Sequence, residues 1–213
     1  MPRLFSSRAL LALLGISIVF GGSVGLVQVA VPTLAGRWHE PSLGGPLLAA
    51  FALGSVLGAL WFGTRHWRRP VIERYLLAVL ALGILLAPIA LARSPAGLAP
   101  LLFIAGLAFG PATVSMFESL DVVAPGSGTE ALTWITTAEA SGTAVGAAAA
   151  GVLVQHGGAP APFLIASALL IVPVGFALLT RALHPATVPP SLADLANRPE
   201  TPIHRQHLPP GTP

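Results

Sequence analysis

The chain contains no cysteine and no lysine, it has a single tyrosine, and only 9% of its 213 residues are charged. Without cysteine there is no disulfide, no thiolate metal site and no cysteine nucleophile. A soluble globular domain carries about 25% charged residues, so the scarcity of charge argues against an ordinary water-soluble enzyme. All 11 basic residues are arginine and the net charge is only +3, although the sequence pI is about 11.0. Those arginines lie between apolar blocks, as membrane topology requires, and form no basic stripe for a nucleic acid.

What is abundant is apolar sequence: 54% of residues are hydrophobic and the mean hydropathy is +0.80. The apolar residues fall in blocks of roughly 20, the length that crosses a hydrocarbon core of about 30 Å. Six such blocks are predicted as transmembrane helices, over residues 9–34, 43–63, 71–92, 96–117, 130–154 and 161–181. Pro88, Pro111 and Pro173 fall within blocks and are read as kinks, because neighbouring helices can satisfy the carbonyls they free. Gln155-His156-Gly157-Gly158 reads as the turn before the last span. The first block is longer than the 7–15 apolar residues of a cleaved signal, so it is expected to be retained. The expected fold is an all-α polytopic membrane domain over residues 1–183. The remaining tail, 184–213, has eight prolines among the 29 residues from Pro185 to Pro213. Such composition does not bury enough surface to offset ordering entropy, so a disordered tail is expected.

The arginines orient the domain. With the N-terminus in the cytoplasm, Arg3, Arg8, Arg65, Arg68, Arg69, Arg74, Arg181, Arg198 and Arg205 are inside, against Arg37 and Arg93 outside. An even number of spans returns the C-terminus to the same side. The four tryptophans, Trp38, Trp61, Trp67 and Trp134, fall near predicted span ends, as an aromatic belt would place them.

Glycines distinguish the spans. Gly21/Gly25, Gly54/Gly58, Gly106/Gly110 and Gly142/Gly146 form G-x-x-x-G pairs in spans 1, 2, 4 and 5. Small residues one turn apart let two backbones approach closely in lipid. Spans 3 and 6 lack the pair and read as Leu/Ile/Val-rich cylinders suited to lipid. The order inner, inner, outer occurs twice, which predicts a three-plus-three inverted repeat.

Few polar residues lie within the spans. Glu139 is about nine residues into span 5, roughly 13 Å deep at 1.5 Å per residue. An ionised carboxylate there must be protonated, paired or open to water. It reads either as a proton-coupling or cation-binding group, or as a carboxylate at the wet end of a cavity. Gln28 continues the stripe Gly21, Gly25, Pro32 and reads as a substrate contact or as a helix–helix hydrogen bond. Ser115 and Thr137 complete the candidate polar set. Ser127-Gly128-Thr129-Glu130 fits a capping box, which accounts for Glu130 structurally. No two histidines or acids share a span at metal-ligand spacing, so neither metal nor cofactor is expected. An intramembrane serine protease would need a G-x-S-G serine and a histidine at depth. Ser141 follows Glu139-Ala140 instead, and no span carries such a histidine.

Ala124-Pro125-Gly126-Ser127-Gly128-Thr129-Glu130-Ala131-Leu132-Thr133-Trp134, followed by Ala144 to Gly151, resembles the second-last helix of a major facilitator superfamily transporter. The likeness is to an actinobacterial efflux-type group. Phe62-Gly63-Thr64-Arg65-His66-Trp67-Arg68-Arg69 is similar to the loop between helices eight and nine of that group, and Val27-Gln28-Val29-Ala30-Val31-Pro32 to the end of helix seven. Arg65, Arg68 and Arg69 match the basic positions of the superfamily's G-x-x-x-D-R-x-G-R-R loop, a gating element. Thr64 stands at its acidic position and Trp67 at its second glycine. The resemblance spans about residues 4–183 and implies half of a major facilitator fold, with spans 1, 2, 4 and 5 lining a cavity and 3 and 6 outside. It implies a bacterial plasma-membrane efflux transporter of a small molecule. That protein would be open to proton coupling and would need a second six-helix half, from a second copy or a separate chain. The competing expectations are a truncated, inactive remnant and a scaffold acting through the proline-rich tail.

Overall fold

Six long helices account for nearly all of the structure, a computed structural model that describes residues 8–123, 128–158 and 160–183. They are α1 (Arg8–Arg37), α2 (Gly44–Gly63), α3 (Val71–Leu86), α4 (Pro95–Val123), α5 (Gly128–Gly157) and α6 (Ala161–Leu183). No strand occurs among the described residues, and all six helices are long and apolar enough to cross a membrane. The protein is therefore an all-α, multi-pass membrane protein whose surface meets the bilayer. The tail 184–213 lies outside the described residues, as do Arg3 and Ser127 of the capping box.

Local chemistry explains where the helices stop. At the end of α1, His39 takes a positive φ of 61°. The Glu40 amide then donates to the Ala35 carbonyl and the His39 amide to that of Gly36. These two bonds form a Schellman stop, satisfying carbonyls the helix would otherwise leave bare. α5 does not break at Gln155 as the sequence suggested. It continues through His156 to Gly157, and Gly158, at φ 79°, turns the chain into α6. Span 3 differs too. Pro88 has no amide to donate to Ile84, and the chain tightens from α-helix at Leu86 into a 3₁₀ turn over Ala87–Leu91. Pro32, Pro100, Pro111 and Pro173 lie within uninterrupted helices.

The most extensive pairings are α1 with α5 and α2 with α4, and both are built on glycine. A Cβ on Gly21 or Gly25 would collide with the carbonyl oxygens of Glu139 or Thr143. One on Gly142 or Gly146 would strike those of Ile18 or Gly22. The other pair repeats the pattern: Gly106 and Gly110 abut the carbonyls of Phe51 and Ser55, and Gly54 and Gly58 those of Phe103 and Leu107. Exchanging α1 with α4 and α2 with α5 maps each of these glycine contacts onto its counterpart, and exchanging α3 with α6 likewise relates the α3–α4 packing to that of α6 on α1. Three crossings reverse the chain, so the second triplet enters the layer from the opposite face.

Depth of burial follows a different order from the glycines. Of the most apolar stretch of each helix, 56% is buried in α1 but only 22% in α2 and 17% in α5. α3 and α6 are more deeply packed than either, at 39% and 33%. The expectation that spans 3 and 6 are the outer cylinders is thus incomplete. α3 carries a buried stripe of Tyr75, Val79, Leu82 and Leu86 at helical spacing, and α6 a matching one of Phe163, Ala166, Leu170 and Val174. The stripes meet where the Ser167 hydroxyl donates to the Gly83 carbonyl at 2.7 Å. Glycine marks which backbones touch, and broad apolar stripes mark which helices are covered.

Candidate functional site

Two cavities meet at the centre of the bundle. One, of about 420 Å³, lies between α1, α2, α3 and α4, with Val24, Gln28, Phe51 and Phe109 in its wall. The other is a more open hollow of about 610 Å³ between α1, α4 and α5, lined by Val24, Gln28, Phe109, Thr136, Glu139 and Thr143 among others. Val24, Gln28 and Phe109 belong to both, so these side chains form the partition.

Phe109 is held firmly. Its ring stacks on Phe20 at 5.2 Å between centroids, with planes 15° apart, and meets Phe51 at 5.2 Å and 56°. Such aromatic contacts each contribute about 0.5–1.5 kcal/mol beyond area burial. Neither phenylalanine was a sequence candidate. The repeat supplies the missing signal for Phe51, because it occupies in α2 the position that Glu139 occupies in α5. Equivalent places in the two triplets thus carry an aromatic ring and an acid.

Gln28 and Glu139 are brought together on the open hollow. Gln28 is exposed and Glu139 partly buried. The Glu139 carboxylate makes no hydrogen bond or ion pair among the described residues, while its backbone is clamped against Gly21. The other two candidates lie elsewhere. Ser115 is fully buried in α4, its hydroxyl without a partner among the described residues, and lines neither cavity. Thr137 is exposed on α5 and donates to the Thr133 carbonyl at 2.7 Å. It is Thr136 that lines the hollow, because positions i−3, i+4 and i+8 share a helical face with Glu139 and i−2 does not.

α5 also presents an exposed polar face that no other helix covers among the described residues. Thr133, Thr136, Thr137 and Ser141 are exposed, and each hydroxyl donates one turn back, to Thr129, Leu132, Thr133 and Thr137 respectively, at 2.7–2.9 Å. This back-bonding satisfies the donors within the helix but leaves acceptor lone pairs outward.

The arginine-rich connection between α2 and α3 is a packed structure. Trp67 stacks on Phe62 at 4.8 Å and donates its indole N–H to the Phe62 carbonyl at 3.0 Å. The Arg65 guanidinium lies 5.6 Å and 5.8 Å from the Trp61 and Trp67 rings. Arg69 pairs with Glu73. Arg74 pairs with Glu118 at 3.1 Å, tying α3 to α4, and lies over Phe62. Arg68 is exposed. No group of three or more His, Asp or Glu side chains that could hold a metal occurs among the described residues.

No family model, curated protein or solved structure matches the chain.

Proposed function

We propose that the chain is one half of a secondary transporter of the major facilitator type. With a second six-helix half, from a second copy or a separate chain, it would enclose a path for a small molecule leaving a bacterial cell across the plasma membrane. The arginine distribution supports cytoplasmic termini, with the α2–α3 connection on the same side.

The observation that carries this reading is the position of Glu139. A carboxylate inside a span, with no partner among the described residues, opens with Gln28 onto a hollow beside the uncovered polar face of α5. Polar groups at membrane depth belong against protein or water, not hydrocarbon, and mark substrate and ion paths. The two-fold exchange of helix contacts supports the same reading, since inverted triplets place a site near the midplane. In this account Glu139 carries the coupling proton, Gln28 orients the substrate by hydrogen bonding, and Phe51 and Phe109 supply an apolar wall. Neither a cofactor nor covalent chemistry is involved.

Native mass spectrometry of the protein released gently from its membrane tests the proposal. A homodimer, or a complex with another six-span protein, is the expected result. A lone 21.7 kDa monomer would overturn it.

A further inference from the structure

A third hollow, away from the central cavities, lies at the arginine-rich end of the bundle. It has a volume of about 410 Å³ and runs between α2 and α3, two helices that barely touch, with α4 as its floor. Its mouth is formed by Arg69, Arg74, Trp61 and Trp67. Below them the lining changes to Leu77, Ala78, Ala81 and, from α4, Pro111. From Arg74 to Ala81 the rise is about 10 Å along α3. The hollow is therefore charged and aromatic at one end and wholly apolar at the other.

We infer that this groove binds an anionic phospholipid, its phosphate against Arg69 and Arg74 and the start of an acyl chain between α2 and α3. Charge supports the assignment. Arg69 pairs with Glu73 and Arg74 with Glu118, while Arg65 and Arg68 meet no acid among the described residues, so this corner keeps an excess of positive charge there. Arg74 has donors to spare. One terminal nitrogen meets Glu118, and the buried Nε has no partner among the described residues. Basic pockets between helices at the cytoplasmic face suit anionic headgroups, and tryptophans suit the interface. A free phosphate would use the arginines but would leave the apolar depth empty. The groove shares no lining residue with the central cavities.

The test uses the full chain with Trp38→Phe and Trp134→Phe, leaving Trp61 and Trp67 as reporters. It is reconstituted in phosphatidylcholine vesicles containing brominated phosphatidylglycerol or, at equal mole fraction, brominated phosphatidylcholine. The expected result is stronger tryptophan quenching by the anionic lipid, with an association ratio of about five-fold for each guanidinium engaged. Arg69→Gln, at an exposed side chain, should lower that ratio, and Arg74→Lys, which keeps the charge opposite Glu118, should lower it less. Ala81→Leu should reduce quenching by filling the apolar end while leaving helicity unchanged by circular dichroism. Equal quenching by the two lipids would overturn the inference. So would an anionic preference that survives Arg69→Gln, or displacement of the lipid by inorganic phosphate with Ala81→Leu without effect.

Discussion

Gly21 of α1 sits so close to Glu139 of α5 that a single methyl group on it would overlap the Glu139 carbonyl oxygen. The one acid that lies well inside a span among the described residues is thus carried on a backbone that the neighbouring helix grips directly. Its repeat equivalent is the contact between Gly106 of α4 and Phe51 of α2, which fixes an aromatic ring in the same way. One packing device, used twice, positions two chemically different side chains around Gln28 and Phe109.

Enlarging these glycines should separate the helices. Gly25→Leu forces the side chain into the Thr143 carbonyl and the Ala147 amide, which are backbone and cannot swing away. A loss of at least about 1–3 kcal/mol is expected, as for other overpacked interiors. Gly15→Ala is the control, because a Cβ there meets nothing within 4 Å. Removing backbone freedom at Gly15 should be neutral or stabilising by about 0.5–1 kcal/mol. Thermal unfolding followed by circular dichroism in detergent distinguishes the two, and equal melting temperatures would contradict the packing described.

The helices themselves were legible because length and apolarity act locally: a run that can span a bilayer has few alternatives to helix. The G-x-x-x-G pairs also named the helices that touch. Burial order was not legible, since it depends on which partner covers each face. α3 lacks the glycine signature yet buries Tyr75 completely, while α5 has it and remains largely exposed. Within the site, Glu139 and Gln28 stand out by their polarity in an apolar run. Phe51 and Phe109 look like ordinary apolar residues until the fold sets them against each other. Ser115 misled for the converse reason, as a polar side chain on a central helix that turns out to lie in the interior.

Replacing Glu139 should raise stability and abolish coupling. The carboxylate has no partner among the described residues and sits within a span, a costly arrangement that function retains. Glu139→Gln is expected to raise the melting temperature in detergent. In proteoliposomes containing the complete transporter, the same variant should no longer acidify or alkalinise the lumen when substrate is added. An unchanged proton signal would remove Glu139 from the coupling role.

The Arg74–Glu118 pair should be worth more than a fully exposed one. Arg74 is only 14% exposed while Glu118 is 44% exposed, so solvent screens the contact from one side. A double-mutant cycle with Arg74→Gln and Glu118→Gln is expected to give a coupling of about 1 kcal/mol, the upper end for surface pairs. The Arg69–Glu73 pair, spanning one turn beside the helix start, should give about 0.3–0.5 kcal/mol. A cycle that ranks the two pairs in the opposite order would show that Arg74 acts through its contact with Phe62 rather than through Glu118.

The absence of cysteine makes the uncovered face of α5 directly testable, since any introduced thiol is the only one present. Maleimides react with the thiolate, which forms in water and not in hydrocarbon. If the polar face of α5 borders a water-filled path, Thr137→Cys and Ser141→Cys should be labelled by a charged maleimide in intact membranes. Val172→Cys on α6 is more exposed than most of the bundle, at 68%, but its neighbours are apolar and it should face lipid. It should stay unlabelled until detergent is added. Exposure alone would make all three react alike, whereas a polar path makes only the α5 pair react. Equal resistance of Thr137→Cys and Ser141→Cys would mean that this face is covered by protein or lipid, and the path would have to run elsewhere in the bundle.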